Sequence, residues 1–187
     1  MAALNTQEAV CALKKGEIIA YPTEAVFGLG CDPENQEALS RLRALKGRDP
    51  QKAFILIASE PAQLLSYINL AGLPPGRWES ILLTWPGPFT WIFPATSKVL
   101  AEIRGAYPTV AVRVTAHPVA RALCDLFGGP IVSTSANKSN LPALRSQTAV
   151  NECFDGQIVG VVEGELGDSA NPTIIQDALS AKVVRAG

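Results

Sequence analysis

Apolar and polar positions change their spacing repeatedly along this chain, and each change marks an element. In "TQEAVCALKK" Ala9, Val10 and Leu13 recur at helical spacing, with Thr6 placed to cap the start and Gly16 to end it. "EIIAYP" reads as a short strand closed by Pro22. "CDPENQEALSRLRALKG" returns to helical spacing: Asp32 caps, Pro33 opens the first turn, Leu39, Leu42 and Leu45 share a face, and Gly47 stops it. "AFILIA" is apolar throughout, as in a strand covered on both faces. "EPAQLLSYI" and "GRWESILLTW" read as helices and "FTWIFPA" as a strand. "TVAVRVTA" alternates, with Val110, Val112 and Val114 against Ala111, Arg113 and Thr115. "HPVARALCDLFGG" is a helix from Pro118 to Gly128, "PIVS" a strand, "SQTAVNECF" a short helix, and "IVGVV", "TIIQ" and "KVVR" are closing strands.

Strands and helices interleave without strict alternation. That pattern predicts an α/β fold of the α+β type, a twisted mixed β-sheet flanked by helices in one domain over residues 1–187. Apolar residues make up 48% of the chain, enough for a core, and the 18% of charged residues argues against long disordered stretches. Runs such as "AFILIA" fall far short of the ~20 residues that cross a bilayer. The opening "MAALNTQEAV" has no basic stretch of the secretory kind. The expectation is a soluble cytoplasmic protein with no membrane partner.

Charge narrows the function. With 16 basic and 17 acidic residues there is no global excess of the kind that coats nucleic acid, although "RLRALKGR" gathers Arg41, Arg43, Lys46 and Arg48. Cys11, Cys31, Cys124 and Cys153 are scattered without a C-x-x-C pair, so they read as reduced thiols and not as a zinc site. The glycines of "GLGCDP" fail the dinucleotide fingerprint because Pro33 stands at the third position. No P-loop and no G-x-S-x-G is present. The single histidine, His117, precedes Pro118 and reads as a helix-start or partly buried residue, so hydrolytic triads are hard to build. An enzyme here would lean on cations, dipoles and positioning.

Four segments carry such groups. "YPTE" sets Thr23 and Glu24 beyond a strand end, as an ordinary turn or as a ligand loop. "LKGR" puts Lys46 and Arg48 around a helix-stopping glycine, with Lys52 just before the next strand; basic residues also suit helix C-termini. Arg113, mid-strand among valines, needs either an internal carboxylate or an anionic ligand. "STSAN", with Ser133, Ser135 and Asn137, is either a polar turn or small hydrogen-bonding groups that let a ligand approach the backbone.

In order, "YPTEAVFGLG", "LKGR", "WPGPFT", "VAVRV…HP" and "STSANKS" resemble the YrdC-like family of threonylcarbamoyl-AMP synthases, in its short single-domain bacterial form. The family's K-x-R…S-x-N signature falls on Lys46, Arg48, Ser135 and Asn137. The resemblance implies a concave basic cavity and a nucleotidyltransferase reaction: L-threonine, bicarbonate and ATP give L-threonylcarbamoyladenylate and pyrophosphate. Lys46 and Arg48 are the implied catalytic residues. Lys46, Arg48, Lys52, Thr109, Ser135, Asn137 and Arg185 fall to ATP, and Thr23, Arg113 and Ser133 to threonine and bicarbonate, with Ser133 also a phosphate donor. Mg²⁺ would travel with ATP; no protein metal site is implied. Partners would be tRNA and the other tRNA threonylcarbamoylation proteins. Two positions depart from the family: Ser139-Asn140 replaces a frequent S-G, and Pro172 replaces a frequent serine. A non-enzymatic double-stranded RNA or tRNA-binding module using "RLRALKGR" is the alternative.

Overall fold

The first helix illustrates how neighbouring side chains set an element's start. Asn5, one residue before the expected Thr6, is the cap: Asn5 Oδ1 accepts from Glu8 N at 2.9 Å, and Glu8 Oε2 accepts from Asn5 N at 2.9 Å. Helix α1 (Thr6–Lys14) then buries Ala9, Val10, Ala12 and Leu13. Helix α2 (Gln36–Lys46) also starts later than its proline predicts. Asn35 takes the cap, while Asp32 accepts from Glu34 N and shapes the turn before it. Gly47 ends α2 at φ +58°, the left-handed conformation that glycine adopts most freely. The structure, a computed structural model, describes residues 2–169 and 173–186, so the departure at Pro172 lies outside the described residues.

The strands are β1 (Ala2–Leu4), β2 (Ile19–Pro22), β3 (Phe27–Gly30), β4 (Ile55–Ala58), β5 (Phe89–Pro94), β6 (Thr109–Val114), β7 (Ile131–Ser135), β8 (Gly160–Val162), β9 (Ile174–Asp177) and β10 (Val183–Arg185). They form one sheet in the order β1-β8-β2-β3-β7-β4-β6-β5-β9-β10. The sheet is mixed, as expected: β2–β8 and β4–β6 are parallel, whereas β3–β7, β4–β7 and β5–β6 are antiparallel. The remaining helices are α3 (Arg77–Leu82), α4 (Ala101–Arg104), α5 (Pro118–Phe127) and α6 (Gln147–Phe154).

Helices α1 and α5 pack on one sheet face over Ile19, Tyr21, Ile57 and Ile131. The opposite face, with Leu29, Leu56, Val112 and Val132, packs against α2, α3, α4 and α6 through residues such as Leu39, Ile81, Ile103 and Phe154. Strand β3 was not expected from "FGLG". Its alternation is real, with Phe27 and Leu29 in the core, but glycines fill the other positions and remove the usual strand signal. The helix expected in "EPAQLLSYI" shrinks to a 3₁₀ turn, Pro61–Leu64. Its second half is a turn, with Tyr67 N and Ile68 N both donating to Leu64 O, and the chain meets the end of β5 where Asn69 N donates to Pro94 O at 2.8 Å and Thr96 N to Tyr67 O at 3.0 Å.

Candidate active site

Strand register gathers small residues onto one patch of the α1/α5 face. Gly28 pairs with Ser135, Ile55 with Ser133, and Ile57 with Arg113, so these side-chain positions share that face. Over the patch lies a cavity of about 320 Å³, walled by Thr23, Glu24, Arg48, Phe54, Ser169, Thr173 and Arg185 besides the floor. Of the ten residues assigned from sequence, six line it: Thr23, Arg48, Arg113, Ser133, Ser135 and Arg185.

Arg48 reaches the cavity because the loop after Gly47 is held shut. Arg43 donates to the carbonyls of Asp49 (2.6 Å), Lys52 (3.0 Å) and Glu102, and its guanidinium lies 4.7 Å from the Phe54 ring centre. Arg48 lies 5.1 Å from the same ring and donates Nη2 to Ala53 O at 2.6 Å. Its Nε is buried without a partner among the described residues. Burial, then repulsion from Arg43, pushes the Arg48 pKa down.

Arg113, only 7% exposed, has an internal carboxylate, with Nη2 3.2 Å from Glu24 Oε2, and its side chain also lines the cavity. Glu24 Oε1 accepts from Thr115 Oγ1 at 2.7 Å and from Ala116 N at 3.1 Å. Burial acts to raise the Glu24 pKa, but the Arg113 charge and these hydrogen bonds outweigh it and hold the carboxyl below its ordinary value. Arg185 Nη2 donates to Thr173 O at 2.8 Å.

Lys46 and Asn137 stand behind the cavity. Lys46 is 2% exposed, and its ammonium donates to Ser135 O, to Asn137 O at 2.8 Å and to Asn137 Oδ1 at 2.9 Å. Burial first, then the Arg48 charge, pushes its pKa down to about 8. Ser135 Oγ donates to Asn137 Oδ1 at 2.8 Å, so the lysine props the turn that presents Ser135. Asn140 follows at φ +67°, a left-handed position that asparagine tolerates. Lys52 sits exposed on the Arg43-held loop and Thr109 pairs with Pro94 at the start of β6; neither lines the cavity.

Segment 163–169 closes the side near β2. Gly167 N donates to Thr23 O and Ser169 N to Glu24 O, both at 3.0 Å. His117 is the backbone cap of α5 and is buried, with Nε2 3.0 Å from Glu165 O on this segment. Ser169 and Thr173 had no local signal in the sequence, and Phe54 was hidden inside an apolar run. Glu24 stood in the quoted "YPTE" without a role.

The profile of the Sua5, YciO and YrdC proteins, described as "Telomere recombination", matches residues 11–187. The chain belongs to this family. Among its relatives, the threonylcarbamoyl-AMP synthase of Vibrio cholerae is 48% identical over 183 residues, covering 98% of this chain and 97% of its own. That of Halorhodospira halophila is 49% identical over 181 residues, covering 97% and 94%. The crystal structure of P. abyssi Sua5 complexed with L-threonine superposes with a TM-score of 0.84 at 30% identity, covering 94% of this chain. This chain spans about half of that Sua5, 52% of its length. Among the described residues of this family member, no group of three His, Cys, Asp or Glu could hold a metal ion, and no helix is long and apolar enough to cross a membrane. The four cysteines are free thiols, Cys31 and Cys124 buried.

Proposed function

We propose that this chain is a threonylcarbamoyl-AMP synthase, acting as one domain over residues 1–187. The observation that carries the reading is a single hollow in which Arg48, Arg113 and Arg185 converge on a floor of glycine and serine. That arrangement suits a reaction between two anions, whose main barrier is electrostatic. The neutral amine of L-threonine adds to the carbon of CO₂ with release of a proton, or to that of bicarbonate with release of water, and either route gives the carbamate. An oxygen of the resulting carbamate then attacks the α-phosphorus of ATP. A P–O bond forms as the α–β bridging bond breaks, and pyrophosphate leaves.

In this reading Arg48 and Arg185 hold the phosphates and balance the developing charge, and Ser135 Oγ donates to a phosphate oxygen. Arg113 takes the threonine carboxylate, with Thr23 and Ser133 beside it. Lys46 and Asn137 position Ser135, a role that follows from their place behind the floor. Lys52 and Thr109 would meet only those parts of ATP that extend past the cavity. Mg²⁺ is expected with the triphosphate: the one acid among the described lining residues, Glu24, is engaged with Arg113 and Thr115, which leaves phosphate oxygens as its ligands. The product would pass, in the cytoplasm, to the other tRNA threonylcarbamoylation proteins and thence to tRNA.

The RNA-binding alternative finds less support. Arg43 and Arg48 turn inward onto Phe54 and carbonyls, Lys46 is buried, and Arg41 is paired with Glu17 at 3.4 Å. The deciding experiment follows pyrophosphate release while threonine and bicarbonate are withheld in turn, with the product identified by mass. Turnover indifferent to threonine sinks the reading.

A further inference from the structure

Among the described lining residues of the cavity, Glu24 is the only acid, set against three arginines. Its place is fixed from two directions. Thr115 Oγ1 and Ala116 N both donate to Oε1, and the Glu24 carbonyl accepts from Ser169 N. The other oxygen, Oε2, lies 3.2 Å from Arg113 Nη2, yet it is buried and accepts no well-formed hydrogen bond from the described residues. Arg113 Nε is also buried without a partner among the described residues. An unfilled acceptor therefore stands in the same ion pair as an unfilled donor.

Among the described residues the other two arginines have no such counter-ion. Arg48 donates to the neutral carbonyl of Ala53, and its Phe54 neighbour bears a second guanidinium, that of Arg43. Arg185 donates to the Thr173 carbonyl. The hollow thus has a net-positive region and a region where both signs are present. A polyphosphate gains most where cations lack counter-ions and is repelled by a carboxylate. An amino-acid zwitterion, with one charge of each sign, matches the Glu24–Arg113 pair.

We propose that Glu24 is the residue that sorts the two substrates within this one cavity. It keeps the Arg113 region for the zwitterion, its Oε2 taking an N–H of the amino group, and it turns phosphate groups toward Arg48 and Arg185. Without that charge Arg113 becomes a third uncompensated cation, and phosphate oxygens compete with the amino-acid carboxylate for it. The inference rests on the reading of the site as one for ATP and threonine.

The test compares wild type with Glu24→Gln, which keeps the shape and removes the charge, and with Glu24→Asp, which keeps the charge. Inorganic tripolyphosphate is the probe, and its inhibition of pyrophosphate release is measured against threonine and against ATP. In wild type it should compete with ATP alone. In Glu24→Gln the threonine KM should rise about tenfold or more, and tripolyphosphate should become competitive with threonine. Glu24→Asp should keep the wild-type pattern. Competition with threonine already in wild type overturns the proposal without any variant; so does a Gln variant that sorts as wild type does, or an Asp variant that sorts as poorly as Gln. Absence of threonine-dependent turnover in wild type would remove the underlying reading and this inference with it. Normal wild-type turnover beside a Gln variant that still sorts removes the inference alone.

Discussion

Lys46 and Asn137, 91 positions apart, are joined twice: the lysine ammonium donates to the asparagine carbonyl at 2.8 Å and to its side-chain oxygen at 2.9 Å. With Ser135 O as a third acceptor, every N–H of the ammonium is engaged. The four signature residues therefore divide by task. Arg48 and Ser135 line the cavity, and Lys46 and Asn137 hold the wall in place.

Lys46→Met keeps the apolar stem and takes the donor from the part-buried Asn137 carbonyl, while Ser135 O keeps Asn137 N at 3.1 Å. Denaturant unfolding should show a loss of about 1–3 kcal/mol, as expected for one acceptor left unpaired beside a lost charged donor. Pyrophosphate release should fall at least 100-fold by roughly the same reasoning. A variant as stable as wild type would mean that the turn at Asn137 holds itself.

Arg48→Lys separates charge from shape. The lysine keeps the positive charge but not the planar group lying over Phe54. Threonine-dependent pyrophosphate release should drop by roughly two orders of magnitude, while unfolding free energy changes by less than about 1 kcal/mol. An equal fall in stability would assign Arg48 to the scaffold.

Acid should weaken the fold through Glu24. Its folded pKa lies below the ordinary 4.5, so the native state sheds this proton before the unfolded chain does. Its contribution to stability is complete above pH 4.5 and disappears as pH falls through the lowered value. Unfolding measured from pH 7 to pH 3 should therefore steepen in wild type relative to Glu24→Gln. Parallel curves would deny the ion pair any energetic weight.

Gly167→Ala addresses segment 163–169. A Cβ there would sit 2.9 Å from both the Cα and the carbonyl oxygen of Glu24, backbone atoms that cannot swing aside. The segment should lift, at about 1–3 kcal/mol of stability. Faster hydrogen exchange at the amides of residues 167 and 169, with a higher threonine KM, would report it. Unchanged exchange would place the strain elsewhere.

The core elements were legible because burial imposes period on sequence: Leu39 and Leu42 on α2, and Val110, Val112 and Val114 on β6, are all buried where their spacing puts them. Caps were displaced by a residue or more because Asn5 and Asn35, strong acceptors, stood beside Thr6 and after Asp32. Strand β3 was silent because glycine carries no side-chain pattern. For the site, sequence order could mark Arg48 and Arg113 as cations needing anions, but not which would find one inside the protein. Ser169 and Thr173 enter the cavity only through the path of a loop, which no local spacing encodes. The buried place of Lys46 likewise depends on contacts across 91 positions.

The parallel pairing of β2 with β8 joins Ala20 to Val161, and Thr23 meets Gly167 beside it. Ribosomal synthesis must therefore deliver most of the polypeptide before this wall can close, and such distant pairings slow folding. A nucleotide has nothing complete to grip until late in assembly. Its arrival should lengthen the lifetime of the finished protein by slowing unfolding, while leaving the refolding rate unchanged.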